Sequence, residues 1–409
     1  MCEEKLPKKF TFIDLFAGCG GLSEGFYREG FKALAHVEWN HWACETLRTR
    51  MRHYGYKDVD KAVIEADITS NDIIKKISDA AQNEVPDVII GGPPCQAYST
   101  AGRVRDGEKM ANDSRNFLFE SYVKILEHFK PKFFVFENVT GILSAQAKGK
   151  KIFPEVIKAL GKKYRVIDDP EVLTHNTADY GVPQIRKRVI IMGIRKDIPD
   201  CDILDLYKDV VKTHYNPETP EVERKKRKRF VDVRQALADL PVVHPGEDAS
   251  AEKFDYPCDN EFLKRIGKKG IHPLYDHICR KHNETDIERF RVMIKNHWSF
   301  GEMRRERPDL EHEHARVFDN SYVVQWWNLP SKTILAHIHK DGFQFIHPDI
   351  NQLRTFTVRE AARIQSFPDD FVFEGSRGEK FKQIGNAVPV LFAEALAKAI
   401  KKNLNRLEK

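Results

Sequence analysis

No stretch of about eighteen consecutive apolar residues occurs in the 409-residue chain, so no membrane-spanning helix is expected. The opening residues, Met-Cys-Glu-Glu-Lys, are charged and lack the apolar core of a secretory signal. Only seven cysteines are present, an odd number scattered without a pairing framework. That excludes a disulfide-built scaffold and suits reduced thiols in a cytoplasm. No internal repeat is visible, and the only biased tract is the six-residue basic run 224–229. Neither sign of charge dominates: 67 Lys and Arg stand against 61 Asp and Glu, a formal net charge of +6. A mildly basic balance of this kind favours a polyanionic partner without requiring one. The hydrophobic fraction of 41% is enough for two ordinary cores.

The first half of the chain alternates short apolar runs with helical patterns, as a largely parallel α/β sheet does. Strands are expected over 10–15, 33–38, 63–67, 87–91, 133–137, 164–168 and 188–194. Helices are expected over 22–29, 41–51, 72–82, 117–129 and 153–162. From about residue 195 to 329 this rhythm breaks into a charged, proline- and histidine-rich region. Ordered patterning resumes afterwards, and 389–407 reads as an amphipathic helix. The organisation expected is a first domain over 1–194 completed by 378–409, and a smaller irregular one over 195–377.

Three constellations carry chemistry. At the front, Phe12-Ile13-Asp14-Leu15-Phe16-Ala17-Gly18-Cys19-Gly20-Gly21 is a strand running into a glycine turn and then a helix. Glycine lets backbone approach a ligand closely, and a helix N-terminus offers free N–H groups. Glu38 ends the next strand 20 residues after Gly18, the spacing at which nucleoside-binding α/β folds hold ribose hydroxyls. Asp67 closes the third strand where an adenine amino group could be met. Strand-end solvation is the alternative for either acid alone; with the glycine turn they favour a nucleoside site. No lysine follows the turn, which points away from triphosphates and towards a cofactor such as S-adenosylmethionine.

The second constellation is Gly91-Gly92-Pro93-Pro94-Cys95-Gln96, at the end of an apolar run. Two prolines stiffen the turn that carries Cys95, and a thiol held with a fixed approach line is a candidate nucleophile. An isolated cysteine here would read instead as a buried apolar residue. The third pairs Glu137, at the end of the apolar strand Phe133-Phe134-Val135-Phe136, with Gln184-Ile185-Arg186-Lys187-Arg188. Desolvation would raise the Glu137 pKa into general-acid range. Strand alternation would point Gln184, Arg186 and Arg188 to one face, where guanidinium groups could bind phosphate, hold a base carbonyl and orient Glu137.

Together these motifs resemble the cytosine-5 DNA methyltransferases of the bacterial restriction–modification type. The resemblance covers 12–194 and 331–391, and includes Asp-Leu-Phe-Ala-Gly-Cys-Gly-Gly, Pro-Pro-Cys-Gln, Glu-Asn-Val and Gln-Ile-Arg-Lys-Arg. It continues through Arg359-Glu360-Ala361-Ala362-Arg363-Ile364-Gln365-Ser366-Phe367-Pro368 and closes with Gln383-Ile384-Gly385-Asn386-Ala387-Val388-Pro389. Six motifs in order form a specific signal.

The resemblance implies a Rossmann-like S-adenosylmethionine-dependent methyltransferase fold with a mostly parallel sheet, plus a smaller target-recognition domain. It implies that Cys95 attacks carbon 6 of a flipped-out cytosine, Glu137 engages ring nitrogen 3, and carbon 5 takes the methyl, leaving S-adenosylhomocysteine. Arg188 would hold the cytosine carbonyl and buttress Glu137, with Arg186 near the adjacent phosphate. Gln96, Ser99 and Gln184 would face the DNA. For the cofactor, Phe16 and Trp39 would pack on the adenine, with Gly18 and Gly20 in the loop. Glu38 would bind the ribose, Asp67 and Ile68 the adenine edge, and Pro93, Leu118, Asn386, Ala387 and Val388 would complete the contacts. Ala97, Tyr98 and Ser99 depart from the family's usual wording in a loop that swings over DNA in relatives.

The implied partner is duplex DNA, with a cognate restriction endonuclease in the same system. A monomer located in the cytoplasm, and on the nucleoid through its DNA, is the expectation. The target-recognition region falls at about 196–329, where the run 224–229 is either a phosphate contact or a solvated loop. Cys258, His272, His277, Cys279 and His282 fit no zinc spacing, so no metal is expected. Trp298, Trp326 and Trp327 read as core of the smaller domain. Two other functions compete. RNA methylation is disfavoured by the absence of the Cys-Phe-Thr tripeptide of the tRNA-modifying branch, and a DNA binder without catalysis is disfavoured by intact Cys95, Glu137 and Arg188.

Overall fold

The apolar runs of the first half assemble into one sheet in the computed structural model, which describes residues 10–94, 118–147, 150–199, 201–267, 269–311 and 321–408. Two units are distinguished: Met1–Tyr180 with Lys187–Lys212 and Val390–Lys409, and Gly181–Arg186 with Thr213–Pro389.

In the first unit, β1 (Thr11–Leu15), β2 (Lys32–Glu38), β3 (Val63–Glu65), β4 (Val88–Gly91) and β5 (Phe133–Val139) run parallel in the order β3-β2-β1-β4-β5. Three further strands, β6 (Tyr164–Arg165), β7 (Thr174–Asn176) and β8 (Lys187–Arg195), continue the sheet beyond β5, with β8 antiparallel to each of its neighbours. Parallel strands are covered on both faces, which is why 133–136 reads as unbroken hydrophobicity and is wholly buried. Helices α1 (Gly21–Arg28), α2 (His41–His53), α3 (Ile73–Ala80), α4 (Leu118–Phe129) and α5 (Ile152–Leu160) connect or flank the strands. Strand order reverses between β1 and β4, and a crevice at such a switch point is where open α/β sheets bind ligands.

Several boundaries differ from the sequence expectation for stated reasons. β5 runs on to Val139 because β8 pairs with it as far as Arg188 opposite Val139, so Glu137 lies within the strand. β3 stops at Glu65, leaving Asp67 in the turn beyond it. β6 stops at Arg165, whose guanidinium turns to the carbonyls of Lys196, Ile198 and Cys201.

The helix Val390–Leu407 returns to cover α1. Gly25 is required at the crossing: a Cβ there would lie 2.4 Å from Ala393 C and Glu394 N. Arg28 Nε pairs with Glu394 Oε2 at 3.0 Å, and Lys401 Nζ donates to the Glu29 carbonyl at 2.7 Å. The apolar face of this helix, including Leu391, Phe392, Leu396, Ile400 and Leu404, is buried. Each such side chain contributes about 1.5–3 kcal/mol before entropy.

The second unit is irregular, with short paired strands and helical segments that include α6 (Glu284–Asn296), α7 (Val358–Ile364) and α8 (Arg377–Asn386). Its core gathers Phe290, Met293, Phe300, Met303, Tyr322 and Ile346, with Trp298 and Trp326 packed against it. Ahead of α7, Thr357 and Glu360 form a capping box. Glu360 also receives both Arg354 Nη groups at 2.7 Å, a pair buried to 1%. The Arg354 guanidinium holds the Glu360 carboxyl well below the usual range against the opposing effect of burial. Arg363 is clamped in the same core between Asp239 and Asp369. Among the described residues no helix is long and apolar enough to cross a membrane.

Candidate active site

The loop after β1 departs from ordinary backbone at three positions. Phe16 (φ 59°), Gly18 (φ 55°) and Gly20 (φ 90°) are all left-handed. For the non-glycine Phe16 this costs about 1–2 kcal/mol, a strain that clusters at functional loops. At Gly20 a Cβ would also lie 2.8 Å from Leu47 Cδ2, whereas beside Gly18 there is open space within 4 Å.

Glu38 holds this loop in place. Its Oε2 accepts from Gly18 N at 2.8 Å, and its Oε1 accepts from Trp39 N at 2.9 Å and Asn40 N at 2.8 Å. Burial pushes the Glu38 carboxyl up, and the three N–H donors oppose that. A carboxylate offers about four acceptor directions, so about one remains for a ligand. Trp39 is 75% exposed at the end of an otherwise buried strand. Asn40 caps α2 by accepting from Ala43 N at 3.0 Å. Asp67 Oδ1 accepts from both the N–H and the hydroxyl of Thr69 at 2.8 Å, while Ile68 is buried behind it. Beneath the loop, Asp14 is buried against Ser23, and burial pushes its carboxyl up to about 8.

On the other side of the switch point, β4 ends at Gly91 and the chain continues as Gly92-Pro93-Pro94. Both glycines are sterically required: a Cβ at Gly91 would lie 2.4 Å from the Leu15 carbonyl, and one at Gly92 2.7 Å from Glu137 Oε2. Pro93 is buried and its carbonyl accepts from Asn138 Nδ2 at 3.2 Å, while Pro94 is exposed. Cys95, Gln96, Ala97, Tyr98 and Ser99 lie outside the described residues, as does Phe117.

Arg188, the second residue of β8, brings its Nε to 2.9 Å from Glu137 Oε1 and donates from Nη1 to the Lys187 carbonyl at 2.8 Å. Burial lowers the Arg188 pKa from its ordinary value, and the Glu137 charge opposes that. Tyr122 of α4 donates to the carbonyls of Ile89 and Val135, which ties α4 to both β4 and β5. Leu118 is half-buried at the start of α4. The result is a buried carboxylate–guanidinium pair against the backbone that leads into Pro93-Pro94, and a separate glycine loop held by a second carboxylate.

A family model described as C-5 cytosine-specific DNA methylase matches residues 10–402. The chain belongs to this family. The methylase is 34% identical to the type II methyltransferase M.Bpa9945I of Bacillus paralicheniformis, over 96% of its own length and 99% of that protein's. It is also 34% identical to the type II methyltransferase M.DdeI of Desulfomicrobium norvegicum, over 95% and 88% of the two chains. Among solved structures, a prophage-encoded E. coli protein assigned as a DNA modification methyltransferase matches with a TM-score of 0.69 at 26% identity, over 97% of the methylase and 100% of that chain.

Two of the residues expected at the site of the methylase do not lie on a strand. Gln184 and Arg186 precede β8, which begins at Lys187, and belong to the second unit. The alternation expected to align them with Arg188 is therefore not formed. Arg186 is 2% exposed and donates to the carbonyls of Ile334 (2.6 Å) and Gly385 (3.0 Å). Gln184 exchanges hydrogen bonds with Ile334 N, Ile364 O and Gln365 Oε1. Both side chains fasten backbone within their own unit. Asn386 ends α8 there and Ala387 and Val388 follow it; Asn386 is exposed and the two residues after it are buried. Gln365 Nε2 holds this turn through the carbonyls of Ile384 and Ala387.

The basic run of the methylase is solvent-facing, with Lys225, Lys226, Lys228 and Arg229 exposed, but several of its side chains have partners. Arg224 lies over Tyr215, Lys228 pairs with Glu261 at 2.6 Å, and Arg229 pairs with Asp232 and lies over Phe230. His277 bonds the Thr357 hydroxyl and the Pro241 carbonyl, and His282 accepts from Thr355 N, so both rings serve packing. Gly92, Asn138, Tyr122 and Gln365 are site-supporting residues that motif reading passed over; a buried amide inside the apolar run of Glu-Asn-Val was the available signal for Asn138.

Proposed function

We propose that the chain methylates carbon 5 of cytosine in a short duplex DNA sequence through a covalent Cys95 adduct, as the modification arm of a restriction–modification system. The observation that carries this reading is the Glu137–Arg188 pair, packed against Gly92 just past β4, where the chain leads through two prolines to Cys95. Membership of the C-5 cytosine-specific family and the likeness to type II methyltransferases support it.

The residues of the glycine loop fit S-adenosylmethionine. Beside Gly18 the space is open, the exposed indole of Trp39 offers a stacking surface, and Glu38 retains acceptor capacity for a ribose hydroxyl. Asp67 with Ile68 would meet the adenine edge, and Phe16, Pro93, Leu118, Asn386, Ala387 and Val388 are the further contacts the reading assigns. When bound, S-adenosylmethionine supplies an electrophilic methyl group and leaves as S-adenosylhomocysteine.

The chain's own groups supply the rest. The target base leaves the stack, because the ring face is inaccessible inside a duplex. The Cys95 thiolate bonds to carbon 6, and Glu137 donates a hydrogen bond or proton to nitrogen 3, which places electron density on carbon 5. Arg188 holds the base carbonyl while fixing the Glu137 carboxyl. After carbon 5 has taken the methyl it loses its proton, and the electron pair expels Cys95 as thiolate. Arg186 is a positioning residue in this scheme, consistent with its two carbonyl bonds. The enzyme is read as a cytoplasmic monomer acting on genomic DNA, with a cognate endonuclease cutting the same sequence when it is unmethylated.

The test is bisulfite sequencing of DNA from a methylation-free bacterial host expressing the chain, beside a Cys95→Ala control. Protected cytosines in one recurring sequence, absent from the control, are expected. Unprotected DNA with soluble protein present would overturn the reading, and persistence of protection in Cys95→Ala would overturn the covalent route.

A further inference from the structure

The second unit contains a basic pocket that the catalytic reading does not use. It has a volume of about 570 Å³ and opens between the segments 278–286 and 340–343 and the start of α8. Four cations line it: Arg280, Lys281, Lys340 and Arg377. The acids on its wall are Asp286 and Asp341. Asp286 is already committed, since its Oδ1 accepts from Arg289 Nη1 and from the Tyr322 hydroxyl, both at 2.7 Å. Asp341 remains as one exposed charge, with its Oδ1 accepting from Phe343 N at 3.0 Å.

Arg280 shows that the positive charge is built in rather than incidental. It is 7% exposed, yet its partners are carbonyls rather than a carboxylate: Nη1 donates to Lys340 O at 2.9 Å and Nη2 to Ile338 O at 3.0 Å. Its guanidinium lies 4.9 Å from the Phe381 ring centre, and a Cβ at Gly342 would lie 3.2 Å from its Cζ, so the backbone is shaped around it. Burial first, and then the like charge of Arg377, pull its pKa down to about 10. Lys281, Lys340 and Arg377 are exposed around this fixed cation and make no ion pair among the described residues. A folded protein holds uncompensated like charges together at a cost, and a bound anion removes that cost.

We propose that this pocket is a sequence-independent phosphate site that grips the backbone of the DNA substrate, an inference that rests on duplex DNA being that substrate. A volume of this size admits a nucleotide-sized group. The wall offers little to hold a base: Phe343 is committed to stacking on Tyr322 at 4.5 Å, which leaves Ile278 as the apolar residue facing solvent. Recognition by charge without a base platform is what a backbone phosphate needs, since phosphate contacts set position and base contacts set sequence.

The experiment measures duplex binding by fluorescence anisotropy across a salt series, for the full chain, for the double variant Lys281→Ala/Arg377→Ala and for Lys340→Ala. The substituted side chains are exposed, and matching thermal melts confirm that the variants fold. Each phosphate contact contributes about 0.9 to the slope of log affinity against log salt. The double variant is expected to lower the slope by about one to two and to weaken low-salt binding by about tenfold or more, with Lys340→Ala intermediate. The loss should be equal for duplexes with and without the methylated sequence. Parallel salt plots and equal dissociation constants for all three proteins would overturn the proposal. So would inorganic phosphate raising the melting temperature of the parent but not of the double variant while their DNA isotherms coincide, because the pocket would then serve a free anion. A parent chain that binds no duplex at all would overturn the substrate reading together with this one, whereas normal parental binding with an unchanged variant slope overturns this one alone.

Discussion

Replacing Arg188 with methionine removes the cation beside Glu137 while preserving most of the side-chain volume. The two side chains are 10% and 13% exposed and meet at 2.9 Å. With charge centres about 4 Å apart and an effective dielectric of about 20, the gross attraction is about 4 kcal/mol. Desolvation of both groups returns part of that, which leaves an expected coupling of about 2–3 kcal/mol. The single variant should lose more, about 3–5 kcal/mol, because a mostly buried carboxylate is left without its partner. Urea unfolding of the parent, Arg188→Met, Glu137→Gln and the double variant forms the cycle that isolates the coupling. Methylation under single-turnover conditions should fall at least about 100-fold in Arg188→Met, the usual scale for a disabled acid–base group. A coupling below about 0.5 kcal/mol together with a methylation rate within about threefold of the parent would refute the reasoning, since the pair would then neither stabilise the fold nor orient the carboxyl.

Two further outcomes are expected. Gly92→Ala would drive a Cβ to 2.7 Å from Glu137 Oε2, so stability should fall by about 1–3 kcal/mol and turnover by more than about tenfold; full activity in a methylation assay would contradict the crowding argument. Burial raises the Asp14 pKa from 3.8 to about 8, so the folded state keeps a proton that the unfolded chain releases. The stability this contributes is complete below about pH 4 and is lost as pH rises to about 8, at no more than about 1.4 kcal/mol per pH unit. In Asp14→Asn that decline should disappear, so its stability relative to the parent should increase across this window in urea melts; a constant difference would show that Asp14 is ionised in the fold.

Much of the sheet was legible because parallel strands buried on both faces write continuous apolar runs, as 133–136 does, and because glycine and proline punctuate their ends. Glu38 was legible by its spacing from Gly18, although spacing could not show that its carboxylate is largely occupied by three backbone N–H groups. Gln184 and Arg186 misled because period-two alternation assumes a strand, and the strand starts only at Lys187. Nothing local marks an arginine whose partners are carbonyls about 150 and 200 residues away, as those of Arg186 are. The order of the basic run was equally invisible, since Glu261 and Asn328, which receive Lys228 and Arg229, lie far along the chain. The capping box at Thr357 and Glu360 was not read from the sequence, and its buried Arg354 partner extends it in a way that only tertiary packing reveals.

The covering of α1 by the helix Val390–Leu407 has a kinetic consequence. Arg28 and Glu394 are 366 positions apart, and the whole second unit is synthesised between them. Until that helix emerges from the ribosome, the groove at Gly25 stands open to water, and at bacterial elongation rates of about 5–20 residues per second the wait lasts tens of seconds. Contacts so distant in sequence also slow the search for the native topology, because a large loop must close before they repay its entropy. The glycine loop at the N-terminal end of α1 should therefore mature late. A nascent chain lacking the helix would present an apolar surface for chaperones, and methylation would begin only after that helix has been made.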